Sequence, residues 1–132
     1  MSGGDRPAPF APGSHAIVAH GGRAFAFAGM RRQGSILATP AGIRPLEAEW
    51  VDQLDERTLA PLFAEIAEAP GSIELLVVGT GENMARLQGS LRAALKAAGV
   101  RFEAMATGPA LRLYNVMQAE DRRVAAALIA VP

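Results

Sequence analysis

The chain predicts an α/β fold: a single three-layer domain with a mixed central sheet, an N-terminal antiparallel β unit and about three helices. Three observations carry that expectation. From residue 59 onward, segments of helical spacing alternate with apolar runs of strand length, as β-α-β units require. The first forty residues instead hold short apolar runs split by Gly and Pro, the mark of hairpins. A length of 132 residues also suits one domain around one core.

In chain order, Pro7, Pro9 and Pro12 with Gly3, Gly4 and Gly13 oppose regular backbone hydrogen bonding. Residues 1–14 therefore read as a flexible arm, and residues 15–132 as the domain. Ala16-Ile17-Val18 and Ala24-Phe25-Ala26-Phe27 flank Gly21-Gly22, which supplies the positive φ of a tight hairpin. Gly34 to Thr39 is a third extended segment of the same small antiparallel unit, with Pro40, Gly42 and Pro45 marking loops. Leu59, Leu62, Phe63, Ile66 and Ala67 follow helical spacing, and Pro70-Gly71 stops that helix. Ile73 to Val78 is nearly unbroken apolar sequence, expected of a central strand covered on both faces and flanked by parallel neighbours. Arg86 to Ala98 carries Leu87, Leu91 and Leu95 on one stripe and ends at Gly99, suited to a left-handed cap. Val100 to Met105 follows as a strand, completing a right-handed parallel crossover. A third helix starts at Thr107, whose hydroxyl is placed to cap it, with Gly108 and Pro109 in the first turn, and runs to about Ala119. After the charged turn Glu120-Asp121-Arg122-Arg123, Val124 to Val131 forms the last strand.

Composition narrows the function classes. Thirteen Lys and Arg balance thirteen Asp and Glu, so the chain has no long-range pull toward nucleic acid or anionic lipid. With no Cys and two separated His, thiolate chemistry is excluded and neither a metal nor a cofactor is expected. No apolar run approaches the about 20 residues of a membrane span, and the start Met-Ser-Gly-Gly-Asp-Arg-Pro lacks signal-peptide character. The expected setting is the cytoplasm, without membrane insertion.

Two groups of residues carry the possible chemistry. Gly79-Thr80-Gly81 follows a strand and precedes a helix, like the opening of a dinucleotide fingerprint. Met84 stands where that pattern needs its third Gly, and no Walker lysine follows. The motif reads either as a turn in which only Gly fits or as an anion-binding loop. Arg112, Tyr114 and Asn115 place a cation, a phenol and an amide on one helix. Arg112 and Asn115, three apart, share a face away from Tyr114. Either they line a polar pocket, or Tyr114 packs inward while the other two hold loops. Trp50 reads as a clamp of its loop onto the core, Ser35 as a turn-side hydroxyl outside any nucleophile elbow, and His15 and His20 as surface residues. The pairs Arg31-Arg32 and Arg122-Arg123 read as solvated turns.

Leu75 through Gly79-Thr80-Gly81, Leu91-Arg92-Ala93-Ala94-Leu95 with Gly99-Val100, Thr107-Gly108 with Arg112-Leu113-Tyr114-Asn115-Val116, and Glu120 with Arg122-Arg123-Val124-Ala125-Ala126-Ala127-Leu128-Ile129 together resemble one family. It is that of the adipogenesis-associated Mth938-domain proteins, and the likeness runs from about Ala16 to Val131. The resemblance implies a three-layer α/β fold, no established enzymatic activity and, in the mitochondrial branch, a role in assembling respiratory complex I. Ala106, Leu111 and Gln88 stand where the family often has an acid, a Cys and a Pro, so no thiol chemistry carries over.

The expected function is therefore a non-catalytic, protein-binding or assembly-factor-like role. The partner is another protein, by family analogy a membrane-complex subunit. The alternative is a small-ligand enzyme or sensor, taking an anion or nucleotide in a crevice at Gly79-Thr80-Gly81. The candidate surface comprises Gly79, Thr80, Gly81, Glu82, Thr107, Arg112, Tyr114 and Asn115, where helix N-termini are expected to open toward one edge.

Overall fold

A computed structural model describes residues 10–132. Within them a six-stranded mixed sheet is packed on one face by two helices and on the other by one helix and a three-stranded antiparallel sheet. Residue alternation along the central strands builds these layers, because neighbouring side chains point to opposite faces. Ile36, Ala38, Leu75, Val77, Val124, Ala126 and Leu128 pack with Phe25, Phe27, Tyr114 and Met117. Leu37, Leu76, Val78, Ala125 and Ala127 turn the other way, onto Leu62, Ile66, Leu91 and Leu95.

The large sheet has the order β1-β6-β5-β9-β7-β8. Strand β7 (Leu75–Gly79) is fully buried and pairs in parallel with β9 (Val124–Leu128) and β8 (Arg101–Met105). The apolar run thus sits between two parallel neighbours, as its composition requires. β9 pairs antiparallel with β5 (Ile36–Thr39) on its other side, so the sheet changes sense there.

The N-terminal third departs from the expectation. Residues 1–9 of the expected arm lie outside the described residues, but the arm does not extend to residue 14. β1 (Ala11–Pro12) pairs with β6 (Gly42–Pro45), and Ala11 is buried. Pro12 and its missing donor are accommodated because this strand is an edge. The small sheet consists of β2 (Ile17–Gly21), β3 (Ala24–Phe27) and β4 (Met30–Gln33). The Gly34 to Thr39 segment does not belong to it, since β5 lies in the large sheet, buried along its whole length between β6 and β9. The β2–β3 turn residues are Gly22 and Arg23, at φ 59° and 58°, rather than Gly21 and Gly22. β4 escaped notice because Met30-Arg31-Arg32-Gln33 is an exposed edge with almost no apolar face. β6 escaped because Gly42 and Pro45 resemble loop punctuation.

The helices follow their apolar stripes. α1 (Ala60–Glu68) buries Leu62 and Ile66. α2 is shorter than its stripe suggested: it spans Gly89–Ala97, because Arg86 to Gln88 is non-helical and Gln88 reaches away to donate to the carbonyls of Asp52 and Leu54. It ends as expected at Gly99, φ 78°, where N–H groups of Gly99 and Val100 close on the carbonyls of Lys96 and Leu95. α3 (Thr107–Ala119) buries Ala110, Leu111, Tyr114 and Met117.

Candidate functional site

The C-terminal ends of β7, β8 and β9 meet the start of α3, and Thr107 is the knot. Its hydroxyl does not cap the helix, which begins without a side-chain cap at Ala106. Instead Thr107 Oγ1 donates to the Ile129 carbonyl at 2.8 Å and accepts from the Gly81 N–H at 3.0 Å. The Thr107 N–H in turn donates to the Gly81 carbonyl at 2.8 Å. A completely buried hydroxyl is thereby satisfied in both roles. The N–H of Thr80 goes to the Met105 carbonyl, and that of Ile129 to Gly79. Thr80 Oγ1 donates to the Asn83 carbonyl at 2.7 Å and accepts from the Ala85 N–H at 3.1 Å, folding the loop that leaves β7.

Both glycines of Gly79-Thr80-Gly81 are structurally required, for different reasons. Gly81 lies at φ 114°, a conformation costly for a side chain. At Gly79 a Cβ would stand 2.9 Å from the Thr107 Cα, the Thr107 Oγ1 and Leu128 Cδ2. Gly79→Val is accordingly expected to cost about 1–3 kcal/mol or more by overpacking, read as a lower denaturant midpoint. An unchanged midpoint would show that α3 can move off β7 freely. With the N–H groups of Thr80 and Gly81 engaged internally, the motif is a packing turn and lacks the free donors of a phosphate loop.

The expected site divides. Gly79, Thr80, Gly81, Glu82 and Thr107 gather at the strand ends, whereas Tyr114 and Asn115 turn toward β2. Tyr114 is 1% exposed and its hydroxyl donates to the His15 carbonyl at 3.1 Å. Burial pushes its pKa up to about 12, so it is a neutral hydrogen-bond donor at physiological pH. Asn115 accepts from the Ile17 N–H at 2.9 Å and donates to the Ile17 carbonyl at 2.7 Å, covering the outer edge of β2 as a paired strand would. Asn115 therefore does not join Arg112 on one recognition face. Arg112 is exposed beside Gly108 and His20, and makes no ion pair with Glu103, Glu120 or any other described residue.

The crevice at the strand ends has a volume of about 340 Å³, and Arg23, Glu49 and Trp50 share its walls with Thr80, Glu82 and Asn83 and the segment from Ile129 to Pro132. Trp50 is not a clamp: it is 56% exposed, with the Arg23 guanidinium 5.4 Å from its ring centroid, within cation–π range. Arg23 is fixed through its main chain, since its N–H donates to Val131 and its carbonyl accepts from Gly34. Sequence reasoning missed Arg23 and Glu49 because their place depends on hairpin β2–β3 leaning across the end of β9. The only available signal was a lone Trp between acidic residues in a loop.

Other candidates have structural duties. Ser35 is buried and its Oγ accepts from the Ala130 N–H at 2.9 Å. His15 hydrogen-bonds the Pro12 carbonyl. Arg122 and Arg123 flank Glu74 at 3.1 and 3.8 Å, and the hydrogen bond from Arg122 holds the Glu74 carboxyl below its ordinary pKa. Thr39 donates to Glu65 at 2.6 Å, but Thr39 is buried and Glu65 also holds the Ala41 N–H, which ties α1 to the β5–β6 turn. Among the described residues no group of His, Asp and Glu could hold a metal, and no helix is long and apolar enough to cross a membrane.

Fold and crevice together define a three-layer α/β fold with its strand-end turn closed by its own hydrogen bonds. The chain belongs to the family described as Protein of unknown function (DUF498/DUF598), which matches residues 17–129. It is similar to an uncharacterised protein of Rhodobacter capsulatus, 41% identical over 70 residues; that match takes in 53% of this chain and 56% of the relative. The chain thus spans little more than half of that relative's length. It is also similar to the crystal structure of an outer membrane protein from Bartonella henselae, with 37% identity, a TM-score of 0.85 and coverage of 92% of this chain and 99% of the other. A solution structure from Bordetella pertussis described as a Mth938-like domain matches with 27% identity and a TM-score of 0.74, over 89% of this chain and 87% of the other. The resemblance to Mth938-domain proteins read from the sequence is therefore correct in family and in fold.

Proposed function

We propose that this domain is a non-catalytic protein-binding module, of the assembly-factor-like kind that the family resemblance implies. One observation carries the reading: the donors of the strand-end turn are used within the fold, while the crevice rim presents an exposed Trp50 with Arg23 beside its ring. Trp and Arg are the residues that most often anchor protein interfaces. Glu49 and Glu82 beside them give the rim a polar border suited to orientation. The partner on this reading is another protein, for which the indole supplies apolar area and the crevice a shaped recess.

The test is capture of partners from native cell extract by the tagged full chain, in parallel with Trp50→Ala and Arg23→Ala. Proteins recovered by the wild type should be lost with both variants, while melting temperatures stay nearly unchanged because Trp50 is exposed. Recovery of the same proteins by all three chains, or of nothing above background by the wild type, would remove the proposal. A crevice of about 340 Å³ also falls in the size range of small-ligand sites, which supports the second reading, an anion or nucleotide sensor or enzyme. If nucleotides, phosphates or small acids at millimolar concentration raise the melting temperature, and Trp50→Ala abolishes the shift, that reading replaces the first.

A further inference from the structure

β8 is the open edge of the large sheet: it pairs with β7 and with no other described strand. The Thr80 N–H donates to the Met105 carbonyl at 2.8 Å, so the main-chain polar groups of Met105 face β7. Main-chain groups alternate sides residue by residue along a strand. Glu103 therefore also faces β7, and Phe102 and Ala104 present their N–H and C=O groups to the open side. An unpaired edge of this kind is a template for a further strand.

Beside this edge lies a second concavity, about 620 Å³, between α2 and β8, lined by Arg92, Lys96, Gly99, Val100, Arg101 and Phe102. Two of its walls, Arg92 and Lys96, are cationic and none is acidic, and α2 itself, Gly-Ser-Leu-Arg-Ala-Ala-Leu-Lys-Ala, contains no acid. The two charged side chains of β8, Arg101 and Glu103, lie together on the other face of the sheet: Phe102 and Ala104 pack toward α1 and α2, whereas Met105 packs toward α3. The groove is thus a single-sign field over an apolar floor in a protein with no net charge, and like-signed clefts select opposite charge. A second copy is a poor occupant. Antiparallel pairing of two β8 edges would put both α2 helices on the same side of the joined sheet, with Arg92 and Lys96 facing their counterparts.

We propose that the β8 edge and the adjoining α2 groove dock an extended acidic segment of another protein, added as a strand beside β8 with its carboxylates toward Arg92 and Lys96. This rests on the reading of the domain as a protein-binding module, but on a surface separate from the Trp50 crevice. Main-chain bonds to Phe102 and Ala104 supply register, and the two cations supply selectivity.

The probe is a nine-residue peptide alternating Glu with Val, compared with its twin carrying Lys for every Glu, each titrated into the full chain. The Glu peptide is expected to bind at least tenfold more tightly than the Lys twin, to slow amide exchange at Phe102 and Ala104, and to weaken as salt rises. The double variant Arg92→Glu, Lys96→Glu should reverse the preference. Ala104→Pro, which removes an edge donor at a position where an edge strand tolerates Pro, should abolish binding; if it does not fold, the charge-reversed chain decides alone. Equal binding of the two peptides, or unchanged exchange at Phe102 and Ala104, would overturn the proposal. So would protection of those amides by self-association without peptide. Trp50→Ala must leave Glu-peptide binding unchanged, so failure of the edge site and failure of the crevice as a binding surface are read separately.

Discussion

Leu76→Asp is expected to leave the chain without a cooperative unfolding transition. Leu76 is 0% exposed, the second residue of β7, with β9 on one side and β8 on the other, and its side chain enters the layer shared with α1 and α2. A carboxylate there has neither water nor a cation. Even truncation to Ala at such a site costs about 2–5 kcal/mol, and an unpaired buried charge adds several more. The sum rivals the about 5–15 kcal/mol by which domains are stable at all. Thermal and urea melts followed by circular dichroism decide it: Leu76→Ala should retain a lowered cooperative transition and Leu76→Asp should show none. A Leu76→Asp chain melting within about 5 °C of the wild type would mean that β7 is not the centre of the sheet, since a 1 kcal/mol change at this size already moves the midpoint by about 2–8 °C.

Thr107→Val has the second-largest expected effect, and it tests the knot at the strand ends. Valine keeps the shape of threonine, so the change removes little packing and isolates the hydroxyl. Both partners stay in place without it: the Gly81 N–H loses its acceptor and the Ile129 carbonyl loses the donor at 2.8 Å. A buried polar group left unpaired costs about 1–3 kcal/mol, so a loss of about 2–5 kcal/mol is expected. Thr107→Ser, which retains both bonds, should recover most of it. Hydrogen exchange gives the local reading, because the Gly81 amide should exchange much faster in the Val variant than in the Ser variant. Equal stability of the two variants would show that water satisfies these groups and that the hydroxyl holds nothing together.

Periodicity made the second half of the chain legible. The run from Ile73 to Val78, the stripe of Leu91 and Leu95, the cap at Gly99 and the apolar end after Arg123 each announce one element, because each needs only its own residues to declare what it buries. The same local chemistry offered, beside an anion-binding loop, a turn at Gly79-Thr80-Gly81 in which only Gly fits. It did not reveal why, since the reason for Gly79 is the Thr107 backbone 28 residues further along. Thr107 shows the opposite failure. A threonine before a helix has an obvious local use as a cap, and that use was displaced by two long-range partners in buried surroundings, where satisfying Gly81 and Ile129 matters more.

The sequence by itself determined the fold class, the family, the helices, the central strand and the absence of thiol chemistry, because periodicity, glycine placement and composition are local quantities. Only the tertiary structure decided which sheet received Ile36 to Thr39, where Tyr114 and Asn115 are used, and that Arg23 and Trp50 meet at a crevice. The physical reason is common to all three. A short apolar strand pairs equally well with any open edge, and a polar side chain bonds whatever group the packing brings within reach. Such choices are settled by the free energy of the whole core, in which β5 buries both faces only between β6 and β9, and in which Asn115 gains its two bonds only after α3 has docked against β2.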